Sequence, residues 1–156
     1  MFKPFNQISN NSRVWIYQSD RMFTSQEKSI IEKYLFDLCQ NWNTHGKPVE
    51  SSFLVKDWFI CLFVNESLNN ASGCSIDSSV STIKKIEKQF KLDLFNRLNI
   101  AYIDNHDNTK VVSLSEFKNV VTKNMKVFNN LVQTKYDLEE NWIIPIEKSW
   151  LFKYLN

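Results

Sequence analysis

Three groups of residues in this chain have types and spacings that could support chemistry. The first is Asn70-Ala71-Ser72-Gly73-Cys74-Ser75-Ile76-Asp77-Ser78-Ser79, which joins an apolar run to an amphipathic one and holds one of only two glycines in 156 residues. Free backbone N–H groups and the positive end of the dipole at a helix start favour anions and lower thiol pKa values. Ser72, Gly73, Cys74, Ser75 and Ser78 are therefore the candidate ligand-binding residues, for a small anion or a partner's acidic group. The competing reading is a plain cap. Ser75 or Asp77 would close the helix, Gly73 would supply a positive-φ turn and Cys74 would pack as a small hydrophobe, with Asp77 in the first turn opposing an anion. The second group makes Cys74 a nucleophile with His45, or less simply His106, as its base. Each histidine also sits where a turn is expected, His45 beside Gly46 and His106 within Asn105-His106-Asp107-Asn108. The third group is Asp104, His106 and Asp107, residue types that suit a metal but also the ones a hairpin turn requires, so no metal and no cofactor is predicted.

Elements that would position these groups follow from period and punctuation. Arg13-Val14-Trp15-Ile16-Tyr17-Gln18 is a β-branched and aromatic run that reads as a buried strand. Thr24 to Glu27 is a capping box, and Ile31, Tyr34, Leu35, Leu38 and Trp42 continue it as a helix over 25–42. Ser52 to Lys56 and Trp58 to Val64 read as a tight hairpin whose second arm, apolar throughout, is a central strand. Ile76, Val80, Ile83, Ile86 and Phe90 line one face of the next helix, with Lys84, Lys85, Lys88 and Lys91 on its solvated side and Glu87 inside the apolar arc. Asn99 to Asp104 and Lys110 to Leu114 form a second hairpin, and Ser113 to Glu116 opens a short helix through about Lys123.

In order, the first hundred residues are β-α-β-β-α-β, which predicts an α+β domain with a ferredoxin-like core, an added strand and a C-terminal helical and aromatic extension. Residues 1–12 read as a flexible lead-in, and 13–156 as a single globular domain. Trp142, Trp150, Phe152 and Tyr154 are expected to cover the sheet face that two helices leave open, or to form an interface.

Composition excludes more than it selects. A formal net charge of +2, with Arg only at positions 13, 21 and 97, argues against a polyanionic partner. Trp15, Tyr17, Phe59 and Phe63 fall at alternate positions of the strands on which RNA-recognition modules stack bases, but the basic-glycine-aromatic signature is missing, so nucleic acid is disfavoured. Two distant glycines rule out a Walker A loop and a dinucleotide fingerprint. No apolar run spans a membrane, no signal peptide is visible, and three cysteines without a CxxC pair read as reduced thiols, so the expected compartment is the cytoplasm.

Five stretches taken together, RVWIYQSDR at Arg13 to Arg21, FVNESLNNASGCSIDSSV at Phe63 to Val80, KVVSLSEF at Lys110 to Phe117, VFNNLVQTK at Val127 to Lys135, and Ser149-Trp150, resemble a family of small uncharacterised bacterial proteins often labelled "ABC transporter ATPase". The label implies a P-loop and a Leu-Ser-Gly-Gly-Gln type signature that this chain lacks, and the resemblance carries over no catalytic or binding residue. Three functions stay open: a binding or adaptor module using the Gly73 segment, a thiol enzyme or redox-responsive protein using Cys74, and a homodimer or complex subunit joined through the aromatic tail.

Overall fold

The computed structural model describes residues 1–67 and 73–155, with 73–75 described by backbone alone. It is mixed α+β, with three antiparallel sheets and four α-helices among the described residues. The first half contains β1 (Arg13–Gln18), α1 (Ser25–Gln40), a small hairpin of β2 (Asn43–Thr44) and β3 (Lys47–Pro48), then β4 (Ser51–Val55), β5 (Phe59–Val64) and α2 (Gly73–Phe90). The second half contains β6 (Asn99–Ile103), β7 (Thr109–Ser113), α3 (Leu114–Val120), β8 (Lys126–Phe128), α4 (Lys135–Asn141) and β9 (Ile143–Pro145), and ends in two 3-10 turns, Ile146–Lys148 and Trp150–Tyr154.

The fully apolar run forms β5, the centre of a three-stranded sheet of order β1-β5-β4, buried at every position. Its alternation divides the interior. Ile60, Leu62 and Val64 meet Ile31 and Leu35 of α1 and Ile83 and Ile86 of α2, while Phe59, Cys61 and Phe63 face the other way. Across that second face lie Ala101, Val111 and Phe128 of a four-stranded sheet, β7-β6-β8-β9, whose far side carries Phe117 of α3 and Ile146 and Leu151 of the 3-10 turns. The layers thus run helices, sheet, sheet, helices.

β1 and β4 run in the same direction with β5 antiparallel between them, which is the first part of the expected split unit. Sheet order does not follow the ferredoxin-like pattern beyond this. That pattern would place Asn99–Ile103 beside β1, but β6 pairs along its whole length with its own hairpin partner β7 and then with β8. The outer edge of β1 is met instead by Gln133, whose carbonyl accepts from the Val14 N–H at 3.0 Å.

Residues 1–12, read above as a flexible lead-in, are laid against this sheet. Met1 and Lys3 exchange main-chain bonds with Ser51 at 3.0 and 2.8 Å, the Phe5 ring packs 5.1 Å from Phe63, and Ile8 is buried. Lys135, itself buried, holds them from the other side, its Nζ donating to the carbonyls of Phe5 at 2.6 Å and Ile8 at 2.9 Å. Of the C-terminal aromatics, Trp142 does cover the second face of β5, whereas Trp150 and Phe152 remain exposed. The 25–42 helix stops at Gln40 and leaves Trp42 in the core. Among the described residues Glu87 is not paired with a cation: its Oε2 accepts the Leu94 N–H at 2.8 Å, just past the left-handed Lys91 that ends α2.

Candidate functional site

α2 starts at Gly73, earlier than the apolar period beginning at Ile76, and this changes the local electrostatics. Asp77 falls beyond the first turn, which contains no acidic residue. The N–H groups of Gly73, Cys74 and Ser75 belong to that turn, whose donors have no partner within the helix. Of the predicted ligand residues, Ser72 lies outside the described residues, as do the side chains of Cys74 and Ser75. Ser78 is exposed on the next turn, and its carbonyl accepts from Thr82 Oγ1 at 3.2 Å.

Packing fixes the direction of α2. Ser79 is buried, with Oγ donating to the Ile76 carbonyl at 2.6 Å, and burial raises the pKa of Tyr17 on β1. Tyr34 of α1 donates to Gln89 Oε1 at 2.7 Å, and Lys85 Nζ stands 4.7 Å from the Tyr34 ring centroid. The C-terminal end of α2 is matched by positive charge, since Arg21 Nη2 donates to the Phe90 carbonyl at 2.7 Å and Lys88 lies in the last turn. The same guanidinium grips Glu27 at 2.9 and 2.8 Å, which holds the Glu27 carboxyl down at about 2.

The β2–β3 hairpin packs beside α2, so the element carrying His45 and the helix carrying Cys74 are neighbours. His45 itself is exposed at the hairpin tip, with φ of 51° followed by 76° at Gly46, the paired positive values of a two-residue hairpin turn. Cys39 and Cys61 are free and buried, and burial pushes their thiols up to about 11 and about 12, so neither is a ready nucleophile. His106 lies on the other hairpin tip, where Asp104 Oδ1 accepts the N–H groups of both His106 and Asn108 at 2.9 Å. Those bonds, Asn108's foremost, hold the Asp104 carboxyl below its ordinary value. No group of three His, Cys, Asp or Glu among the described residues is placed to hold a metal.

The aromatic row weighed above, and disfavoured, as a base-stacking surface is split. Trp15 and Tyr17 pack on the helical side of the sheet, Phe59 and Phe63 on the opposite side, because the register sets Tyr17 against Ile60 and Phe59 against Gln18. Both faces are covered.

Sequence reasoning missed the openings between the two sheets. One cleft of about 700 Å³ is floored by Phe59, Phe128 and Trp142, whose rings lie 4.7 to 5.3 Å apart, with Lys56 and the pair Glu139 and Glu140 along its walls. Behind it Trp142 Nε1 donates to Asn130 Oδ1 at 2.9 Å, Asn130 Nδ2 to Gln18 Oε1 at 2.8 Å, and Gln18 Nε2 to the Asn99 carbonyl at 2.8 Å. These residues come from five separated segments, so no local motif announces them. No protein-family model, curated protein or solved structure matches this chain. Among the described residues no helix is long and apolar enough to cross a membrane.

Proposed function

We propose that the chain is a binding or adaptor module whose ligand site is the first turn of α2, taking a small anion or a partner's acidic group. The observation that carries this is the unequal treatment of the two helix ends. Arg21 and Lys88 match the C-terminal end, while the first turn at Gly73 holds no acidic residue to match the other. A cytoplasmic setting belongs to this proposal and is supported by the unpaired state of Cys39 and Cys61.

A thermal-shift screen against inorganic phosphate, nucleotides and small carboxylates tests it. Saturation at about a hundredfold over Kd should raise Tm by roughly 5–10 °C in a chain of this size. The rise should vanish in Gly73→Val and Ser75→Ala while both stay folded, and the absence of any shift in the wild type would sink the anion site. The same helix end, with the β2–β3 hairpin beside it, also favours a lowered Cys74 thiol pKa as the second reading. Alkylation by iodoacetamide checks that reading: a Cys74 rate no faster than a model thiol between about pH 5 and pH 9 removes it.

A further inference from the structure

Among the described residues the outer edge of β1 is paired only at its beginning. There the Val14 N–H reaches the Gln133 carbonyl at 3.0 Å, and Arg13 bridges Thr134. Since Val14 faces outward, antiparallel alternation turns the N–H and C=O of Ile16 outward too, while Trp15 and Tyr17 bond inward to β5. Among the described residues no hydrogen bond reaches the main chain of Ile16 on that side. This is the edge that a fourth ferredoxin-like strand would take, and β6 has gone elsewhere.

A groove of about 580 Å³ lies along this open edge, with Ile16 and Gln18 on one side. Its other walls expose Phe95, Leu131 and Trp150, at 39%, 73% and 48%. Among the described residues Arg97 is the one charged side chain that lines it, and it makes no ion pair. Lys153 Nζ stands 5.3 Å from the Trp150 ring centroid and adds a second positive charge. Unpaired strand edges template the addition of another strand, and alternate side chains of that strand then fall into flanking apolar pockets.

We propose that the Ile16 edge accepts an extended segment of a protein partner, apolar at alternate positions and carrying an Asp or Glu that reaches Arg97. The segment's main chain bonds the N–H and C=O of Ile16, its apolar side chains lie over Phe95, Leu131 and Trp150, and charge complementarity selects an acidic strand. This site does not use the α2 start, so either proposal can fail alone.

Short fluorescein-labelled peptides provide the probe, in three pools with Val, Ile, Leu or Phe at alternate positions. One pool is flanked by Asp and Glu, one by Lys, and the third is the acidic pool N-methylated on every amide. Anisotropy titrations should show the acidic pool binding at least about tenfold more tightly than the lysine pool. N-methylation should abolish binding, and Arg97→Glu should erase or reverse the charge preference. Arg97 and Leu131 are both exposed, so Arg97→Glu and Leu131→Asp leave the core untouched. Equal affinity of the charged pools, undiminished binding of the methylated pool, or no saturable binding overturns the proposal. Sedimentation supplies the remaining check: a concentration-dependent dimer that Leu131→Asp dissolves assigns the edge to a second copy of the chain and overturns the partner reading.

Discussion

The two main sheets of this molecule are stabilised in different ways. β5 is buried at every position between α1 and α2 on one face and the second sheet on the other, so each of its side chains counts toward a core. β7, β8 and β9 of the second sheet are short or only half buried, and that sheet depends on α3 and the 3-10 turns for its outer cover. A strand sealed on both faces concentrates stability in a few residues, whereas half-covered strands spread it thinly.

Cavity-forming substitutions give the largest test of this contrast. Phe63→Ala removes a fully buried ring that packs against Phe5 and should cost about 3–5 kcal/mol. Ile144→Ala, at a half-buried position of β9, should cost about 1–2 kcal/mol. Urea denaturation of both variants decides the matter, and equal shifts of the midpoint would mean that the two sheets are stabilised alike.

The same contrast explains which parts of the fold were legible in sequence. Complete burial left β5 as an unbroken apolar run, and the Thr24 capping box with Glu27 marked the start of α1, where both reciprocal bonds are present. Val127 and Ile144 sit in three-residue strands whose pairing depends on β6, which no local period reveals. Residues 1–12 show no period of their own, and their contacts are remote in sequence: Lys135 takes up the Phe5 and Ile8 carbonyls from far along the chain. At the candidate site, the serine-rich helix start was visible, but its boundary was not. Gly73, Cys74 and Ser75 carry no apolar period, and this put Asp77 a turn too early. The open β1 edge was invisible because it follows from where β6 does not pair.

Lys135 joins the N-terminal segment to α4, and it offers a smaller, sharper test. Its ammonium is buried without a carboxylate partner among the described residues and is held by two carbonyls and the Phe5 ring at 4.6 Å. Lys135→Ala leaves those carbonyls without their donor and should cost about 2–3 kcal/mol. Limited proteolysis separates this from a general loss of stability, because the cut sites should fall first within residues 1–12. If the early cuts fall in the second sheet, the segment is held by its apolar contacts and Lys135 is not its anchor.

The smallest expected effect distinguishes the two halves by charge. All three ion pairs of the described residues lie in the first half, and the bidentate one, Arg21 with Glu27, ties the start of α1 to the end of α2 through the Phe90 carbonyl. Glu27 has its folded pKa lowered from 4.5 to about 2, chiefly by the Arg21 hydrogen bonds. A depressed carboxylate adds stability that is complete above its unfolded pKa and disappears as pH falls through the folded value. The window is therefore from about pH 4.5 down to about pH 2. Since Arg21 is 41% exposed, solvent screening limits the contribution to about 1 kcal/mol. Glu27→Gln keeps a capping side chain and should melt below the wild type at neutral pH, with the difference closing near pH 2. Hydrogen exchange adds the regional readout: after correction for the pH dependence of intrinsic exchange, acid should lower amide protection in α1 and α2 while leaving that of β8 unchanged. A uniform loss of protection across both sheets would show that the halves unfold as one cooperative unit and that the contrast between them does not extend to their response to pH.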